Sequence, residues 1–477
     1  MSNDEETNDK KLNYITADKL PDGRLVEMIY EPVKKKTFFV VGIGDKTEIM
    51  EKIEILKDTR YLVPLKPANS MIRAGFIKMP SELGRYETNA ELFNEIKTYI
   101  HKYSVLPNNF VTIAALYIMM TWVHEQFHVL PYLRVIGMYG TGKTRFLEVI
   151  GNICYKPMMA GGSASTASIF RAVDEIKGTL IFDEADFRNS EAWNEIVKIL
   201  NSGHTKDFPV IRMEARADGG FTIKTFYVFG PKILASRVRF GDEALESRCL
   251  TQNLLPKNDL KVPIHLPESF KKETLSLRNK LLSFRFLNYA NPVLQEQKLD
   301  SINFPRLKQS ILAIVNTAKL VGNDIEKDVI SFGLDYEKDL QLYQTREIES
   351  DVLICILELL LDKKRMNAAK GKIRIGDIAD MYNFKFNDDF EDRKRKEYQG
   401  DSGFIESHYK ASARKIGRVV STKLMIKTNR DGDGFYIPPS ECPKIKILME
   451  RYGITKDILA RKDNPAQVDD PKDKNSF

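Results

Sequence analysis

The sequence predicts an α/β fold, and three observations carry the prediction. Between residues 132 and 255 strand-like and helix-like runs alternate, as parallel strands joined by crossover helices would. The stretch Gly137-Met-Tyr-Gly140-Thr-Gly142-Lys143-Thr144 separates the first of those strands, YLRVIG, from a helix. Forty residues beyond Lys143, the apolar run Leu180-Ile181-Phe182 empties into Asp183 and Glu184. The 477 residues, 43% apolar and 29% charged, suffice for about two to four domain cores and exclude a peptide hormone, a collagen or a wholly disordered chain. Lys and Arg outnumber Asp and Glu by 73 to 66, a bias that permits contact with nucleic acid without demonstrating it.

Residues 1–12 are polar and acidic and read as a disordered tail, with no leader or membrane signal, which points to the cytoplasm. Within 13–88, LVEMIYEP, KTFFVVGI and YLVPL are β-prone runs between charged or glycine-containing turns, predicting a small strand-rich region. Residues 89–255 open with two helices, ELFNEIKTYIHKY and, after Pro107-Asn108-Asn109, FVTIAALYIMMTWV. The second is 14 residues long, short of the roughly 20 that span a bilayer, so it reads as a buried helix.

The alternating block then runs through a helix from Gly142, a strand near Lys156–Met159, a helix from Ser165 and the strand GTLIFDEAD. A helix at 191–200, a hairpin around Asp218-Gly219-Gly220, and the strands KILAS and SRCLTQNL complete it. Residues 256–345 are helical and predict a separate helical layer. Residues 346–445 give helix, helix, a basic helix at 411–424 and two short strands, the order of a winged helix-turn-helix, interrupted by a charged insertion at 384–403. Residues 446–477 read as a helix followed by a disordered tail. Cys154, Cys249, Cys355 and Cys442 are too widely spaced for a zinc knuckle and are expected to be free thiols.

The spacing G-x4-G-K-T has a chemical reason. Successive backbone N–H groups and the positive end of the following helix surround a phosphate, Lys143 reaches the β and γ oxygens of ATP, and Thr144 ligates Mg2+. Gly137, Gly140, Thr141, Gly142, Lys143, Thr144 and Arg145 are the candidate nucleotide contacts. Asp183 is the candidate metal partner and Glu184 the base that orients and deprotonates water. Asp186 is expected to face solvent or cap the following helix.

With these motifs the core resembles the AAA+ ATPase superfamily, and more narrowly the ATPase modules of phage- and plasmid-type primase-helicases. The resemblance covers roughly residues 130–320 and implies a P-loop NTPase core with a helical lid. It makes Ser236, at the end of KILAS, the first sensor, with Lys232 as an alternative. Ser247-Arg248-Cys249 resembles the clamp-loader motif whose arginine reaches a neighbour's nucleotide; a surface ion pair with Glu243 or Glu246 is the plainer alternative. Arg306 stands where a lid arginine would act as second sensor, and Arg278 or Arg285 could fill that role instead. The implied assembly is a homo-oligomer, a hexameric ring, working with DNA and other replication proteins and not with a membrane.

Two sets of basic residues are candidate DNA contacts. Arg212, Arg216 and Lys224 flank the hairpin turn, which in related ring helicases enters the central channel and grips single-stranded phosphates. Arg414, Lys415 and Arg418 share one side of the basic helix, and Lys427 and Arg430 lie in or beside the wing, a layout for duplex backbone contact. Each set has a plainer reading as a solvated face. The implied function is an ATP-hydrolysing DNA helicase or translocase; a replication initiator or a helicase- or clamp-loader ATPase is the alternative. His124-Glu125-Gln-Phe-His128 matches the zinc-protease spacing H-E-x-x-H, but no nearby histidine extends it, so a local structural role is expected.

Overall fold

The computed structural model describes residues 12–55, 60–160, 165–183, 191–215, 220–255, 262–289, 299–344, 348–362, 370–386, 411–452 and 454. The expectations placed on the two termini, on Glu184 and Asp186, on Arg216 with the Gly-Gly turn, and on most of the charged insertion lie outside these residues. The chain divides into two compact units, residues 1–334 and 335–477.

The first unit begins with strands β1 (Leu12–Ile15), β2 (Ala17–Lys19), β3 (Leu25–Glu31), β4 (Lys36–Ile43), β5 (Lys46–Met50), β6 (Ile53–Ile55) and β7 (Arg60–Pro64). They form a four-stranded antiparallel sheet, β2-β3-β4-β5, and a three-stranded sheet, β1-β7-β6. A short helix α1 (Ser70–Arg73) precedes α2 (Asn89–Tyr103), whose first turn is capped by the Thr88 hydroxyl accepting from the Glu91 N–H. Helix α3 (Asn108–Thr121) starts right after Pro107, and every residue from Phe110 to Thr121 is buried, which is why its sequence shows no polar face.

The alternating block follows as β8 (Tyr132–Ile136), α4 (Lys143–Gly151), β9 (Met158–Ala160), α5 (Thr166–Ile176), β10 (Leu180–Phe182), α6 (Glu191–Ser202), β11 (Val210–Ala215), β12 (Phe221–Phe226), β13 (Lys232–Ser236), α7 (Glu243–Glu246) and β14 (Cys249–Asn253). Strands β14-β8-β13-β10-β9 form one sheet in which every pairing is parallel. Parallel strands buried on both faces need continuous apolar runs, and Tyr132–Ile136, Leu180–Phe182 and Lys232–Ser236 are buried throughout. Residues of the amino-terminal sheet, Val26, Met28, Phe39 and Val41, belong to the same apolar cluster as Tyr132, Met158, Leu180 and Leu234. The amino-terminal strands are therefore built onto the α/β core.

Helices α8 (Ser269–Asn288), α9 (Pro305–Val321) and α10 (Asn323–Gln344) follow, with the division between units falling inside α10. Proline at the first position of α9 needs no N–H partner there, and Gly322 ends that helix. The first unit is thus a mixed α/β core with helical segments.

The second unit is rich in helix. It contains α11 (Ile348–Leu361), β15 (Ile373–Arg374), α12 (Ile375–Phe386), α13 (Ala413–Arg418), β16 (Asn429–Asp431), β17 (Gly434–Ile437) and α14 (Cys442–Arg451). The strands form an antiparallel sheet, β15-β17-β16, over a core that includes Val352, Ile356, Ile378, Ile416 and Val420. The expected single helix over 411–424 is divided: α13 ends at Arg418 and a wider turn carries Val419–Lys423. The expected strand MIKTN is displaced to Asn429–Asp431, because Leu424 and Ile426 are drawn into the core.

Candidate active site

The candidate site lies where the sheet's carboxyl ends meet the first turn of α4, the usual place for ligands on open parallel sheets. The chain leaves β8 at Gly137, whose N–H donates to the Ser236 carbonyl at 3.2 Å, tying the loop to β13. Gly140 and Gly142 have φ of +75° and +89°, a region that side-chain-bearing residues rarely enter. A Cβ on either would meet nothing within 4 Å, so the loop faces open space. At Gly137 a Cβ would lie 2.3 Å from Thr141 Oγ1. The glycines therefore serve two purposes, close packing at the first and backbone conformation at the other two.

Gly142 is the residue before α4, so the unbonded N–H groups of that helix open onto the loop. Lys143 Nζ donates to the carbonyls of Gly137 and Met138 at 2.7 and 2.8 Å, folding its ammonium back over the loop. Thr144 Oγ1 donates to Asp183 Oδ2 at 3.0 Å. Two hard oxygens thus stand together at the start of α4, a pair that would suit a hydrated Mg2+. Thr141 hydrogen-bonds the Met138 carbonyl at 2.9 Å. The Arg145 guanidinium is used elsewhere: it donates to the carbonyls of Tyr103, Pro263 and Ile264, fastening α4 to the approach to α8.

Strand β13 lies between β8 and β10, which brings Ser236 level with Ile136. Phe182, the residue before Asp183, pairs with Leu234 two positions earlier on β13. Ser236 is buried, and its hydroxyl donates to the Val238 carbonyl at 2.9 Å. Lys232 occupies the opposite end of the strand, where its buried ammonium donates to the carbonyls of Gly203, Val228 and Gly230. It is thus not beside the loop, and burial lowers its pKa to about 7. Arg237 was missed by sequence reasoning. It stacks on the exposed ring of Tyr139 in the loop, 4.1 Å from the centroid, and its only local signal is a basic residue directly after KILAS.

Arg248 follows α7 and is buried. Its Nη1 donates to Asn201 Oδ1 at 2.8 Å, and its Nε lies 3.1 and 3.2 Å from the two ring nitrogens of His204. The alternative of an ion pair with Glu243 or Glu246 is not what forms; Glu246 instead binds Arg134 and Arg239. Arg306 is exposed in the first turn of α9 and close enough to lower the pKa of both Arg248 and His204.

The two alternatives to Arg306 have structural duties. Arg278 donates to the carbonyls of Met79 and Asn152. Arg285 is buried against Glu27 and, through two hydrogen bonds, Glu125, with its guanidinium over Tyr155. Lys156 and Tyr155 complete this network on Glu27. Burial opposes the charge of Glu125, yet Arg285 and His124 outweigh it and hold that carboxyl well below the usual range. The H-E-x-x-H residues do not share a helix that would point both imidazoles at one ion. His124–Gln126 is a single tight 3-10 turn, His124 is buried against the Thr121 carbonyl, and His128 is exposed. Among the described residues no group of three His, Cys, Asp or Glu side chains is arranged to hold a metal ion.

The two faces of the hairpin β11–β12 differ, and Lys224 is exposed while Arg212 is half-buried. Arg212 stacks on Phe170 at 4.6 Å and pairs with Glu195, while Lys224, its register partner, lies over Phe226. The exposed side carries Ile211, Met213, Phe221 and Ile223. In the second unit Arg414, Lys415, Arg418, Lys427 and Arg430 are all exposed, with Arg430 5.4 Å from the ring of Phe435. The four cysteines are free, and Cys154, Cys249 and Cys355 are buried. Burial raises the Cys249 thiol to about 12, which leaves it inert. No helix among the described residues is long and apolar enough to cross a membrane.

No family model matches the chain, and no curated protein matches it. Among solved structures, the apo C-terminal region of NrS-1 is similar at 11% identity and a TM-score of 0.34, over 86% of this chain and 95% of that chain. A full-length MCM homolog from Methanopyrus kandleri gives 10% identity and 0.31, over 66% and 78%. JCV helicase gives 14% and 0.27, over 49% and 66%. These likenesses are distant, and the reading of the site rests on its own geometry.

Proposed function

We propose that the chain is an ATP-hydrolysing DNA motor of replication, a helicase or translocase working as a ring of identical subunits. The observation that carries this reading is the Thr144–Asp183 hydrogen bond, which joins the glycine loop to the acid at the end of β10. The loop N–H groups and the start of α4 enclose the β-phosphate. Lys143 exchanges the Gly137 and Met138 carbonyls for phosphate oxygens. Thr144 and Asp183 hold Mg2+, which when bound supplies charge neutralisation to the transferred phosphoryl group. Glu184 orients the attacking water and takes its proton, and Ser236, beside the loop, senses the γ-phosphate. Arg248 and Arg306 stand close together and offer positive charge to the nucleotide of a neighbouring subunit.

The helix order and three-stranded sheet of the second unit support its reading as a winged helix. The exposed Arg414, Lys415 and Arg418 then face a duplex backbone, with Lys427 and Arg430 in the wing. That basic face favours the second reading, an initiator or loader that holds duplex DNA without processive unwinding. ATP turnover and strand separation on forked DNA test both. Motor action requires unwinding that Lys143→Ala and Glu184→Gln each abolish. DNA-stimulated hydrolysis without strand separation selects the loader, and no hydrolysis with or without DNA removes both.

A further inference from the structure

A guanidinium that must meet a phosphate on another molecule has to be held in position without being neutralised beforehand. A carboxylate partner would fix it and discharge it together. Arg248 is fixed differently. Among the described residues no carboxylate lies within ion-pair distance of it, and its side-chain hydrogen bonds go to two neutral groups, Asn201 and His204.

The hydrogen-bond logic fixes the form of the histidine. The Asn201 backbone carbonyl can only accept, and it lies 3.0 Å from His204 Nδ1, so the proton sits on Nδ1. Nε2 is then the acceptor for the Thr205 hydroxyl at 2.9 Å, and Arg248 Nε, 3.2 Å from Nε2 and 3.1 Å from the protonated Nδ1, rests against the ring between the two nitrogens with Nε2 as its one possible acceptor. Asn201 is itself held, since its amide donates to Asp242 Oδ2 at 3.3 Å, while Asp242 Oδ1 caps α7 at the Leu245 N–H. The acid nearest the arginine is thus turned onto the clamp and the helix cap. Arg306 adds a second cation nearby and, among the described residues, has no hydrogen bond or ion pair of its own.

We infer that Asn201 and His204 form a neutral clamp that aims Arg248 while leaving its charge available to an incoming phosphate, which makes His204 a positioning residue for ATP hydrolysis. The inference rests on the reading of Arg248 as the arginine offered to a neighbouring subunit. The test compares steady-state ATP hydrolysis by the assembled full-length chain in His204→Gln, His204→Glu, Arg248→Lys and Arg248→Ala.

Glutamine keeps a neutral acceptor and should hold kcat within about threefold. Glutamate supplies the discharging partner and should lower kcat by about tenfold or more, with KM for ATP within about twofold, because a trans arginine acts on the transition state. A His204→Glu protein that turns over normally, or a His204→Gln protein as impaired as His204→Glu, overturns the clamp. Should His204→Glu fail to fold, Arg248→Lys decides. Its ammonium keeps the charge but cannot span both acceptors, so kcat as low as that of Arg248→Ala supports aiming by the clamp and wild-type turnover refutes it. Normal turnover in Arg248→Ala would instead remove the underlying assignment of Arg248, a failure distinct from that of the clamp.

Discussion

Thr144 Oγ1 donates a hydrogen bond of 3.0 Å to Asp183 Oδ2, bridging two residues 39 positions apart in the chain. The contact holds the first turn of α4 against the end of β10 and brings two hard oxygen ligands together. Thr144→Ala and Asp183→Asn should each reduce Mg2+-dependent ATP turnover by about 100-fold or more while leaving the folded chain intact. Single-turnover hydrolysis beside a circular dichroism melt checks both parts.

Gly142 should not tolerate alanine, although nothing lies within 4 Å of the added carbon. The penalty comes from φ of +89° and should be about 1–2 kcal/mol. Urea unfolding should register that loss, and a fluorescent nucleotide should bind more weakly because relief of the strain rotates the loop N–H groups away.

Arg285 is buried between Glu27 and Glu125 and bonded to both. Arg285→Met would leave Glu125 without its guanidinium and Glu27 with only Lys156 and Tyr155, and should cost about 3 kcal/mol in urea unfolding. Adding Glu125→Gln should restore part of the loss, since it removes the carboxylate left without that guanidinium. Strict additivity of the two substitutions would show that the pair is not coupled.

His204 makes stability depend on pH. Burial, then Arg248, lowers its pKa from 6.5 to about 4 in the folded chain. Between those values the unfolded chain binds more protons, so stability should fall as pH drops from about 6.5 to 4 and level off below. The effect should be about 1–2 kcal/mol after solvent screening. Thermal melts across that range should show a flatter profile for His204→Gln.

Arg414, Lys415 and Arg418 are exposed on one short helix. Replacing each by Gln should weaken duplex binding and lower the slope of log affinity against log salt by about 0.9 per lost phosphate contact. Fluorescence anisotropy over a salt series measures both. An unchanged slope in the triple variant would remove this helix from the DNA interface.

The features legible in the chain are those whose physical cause is local. The spacing of Gly137, Gly142 and Lys143 encodes a turn and a helix start within eight residues, and buried parallel strands demand unbroken apolar runs such as Leu180–Phe182. The hairpin over 210–226 was foreseen for the same reason, but the direction of its faces was not. Alternation distinguishes two sides of a strand without saying which one the rest of the protein covers. Phe170 and Glu195 cover the side carrying Arg212, and the apolar side is left exposed.

Linear order thus settled where a glycine loop, the acid after β10 and the alternating strands would occur, because each depends on neighbours a few residues away. Folding alone decided which arginines remain available. Arg285 meets Glu27 across 258 positions and is consumed, whereas Arg248 meets Asn201 and His204 across 47 and 44 and keeps its charge. No periodicity or motif specifies such distant partners. Whether a buried cation is neutralised depends on which groups the packed core brings beside it.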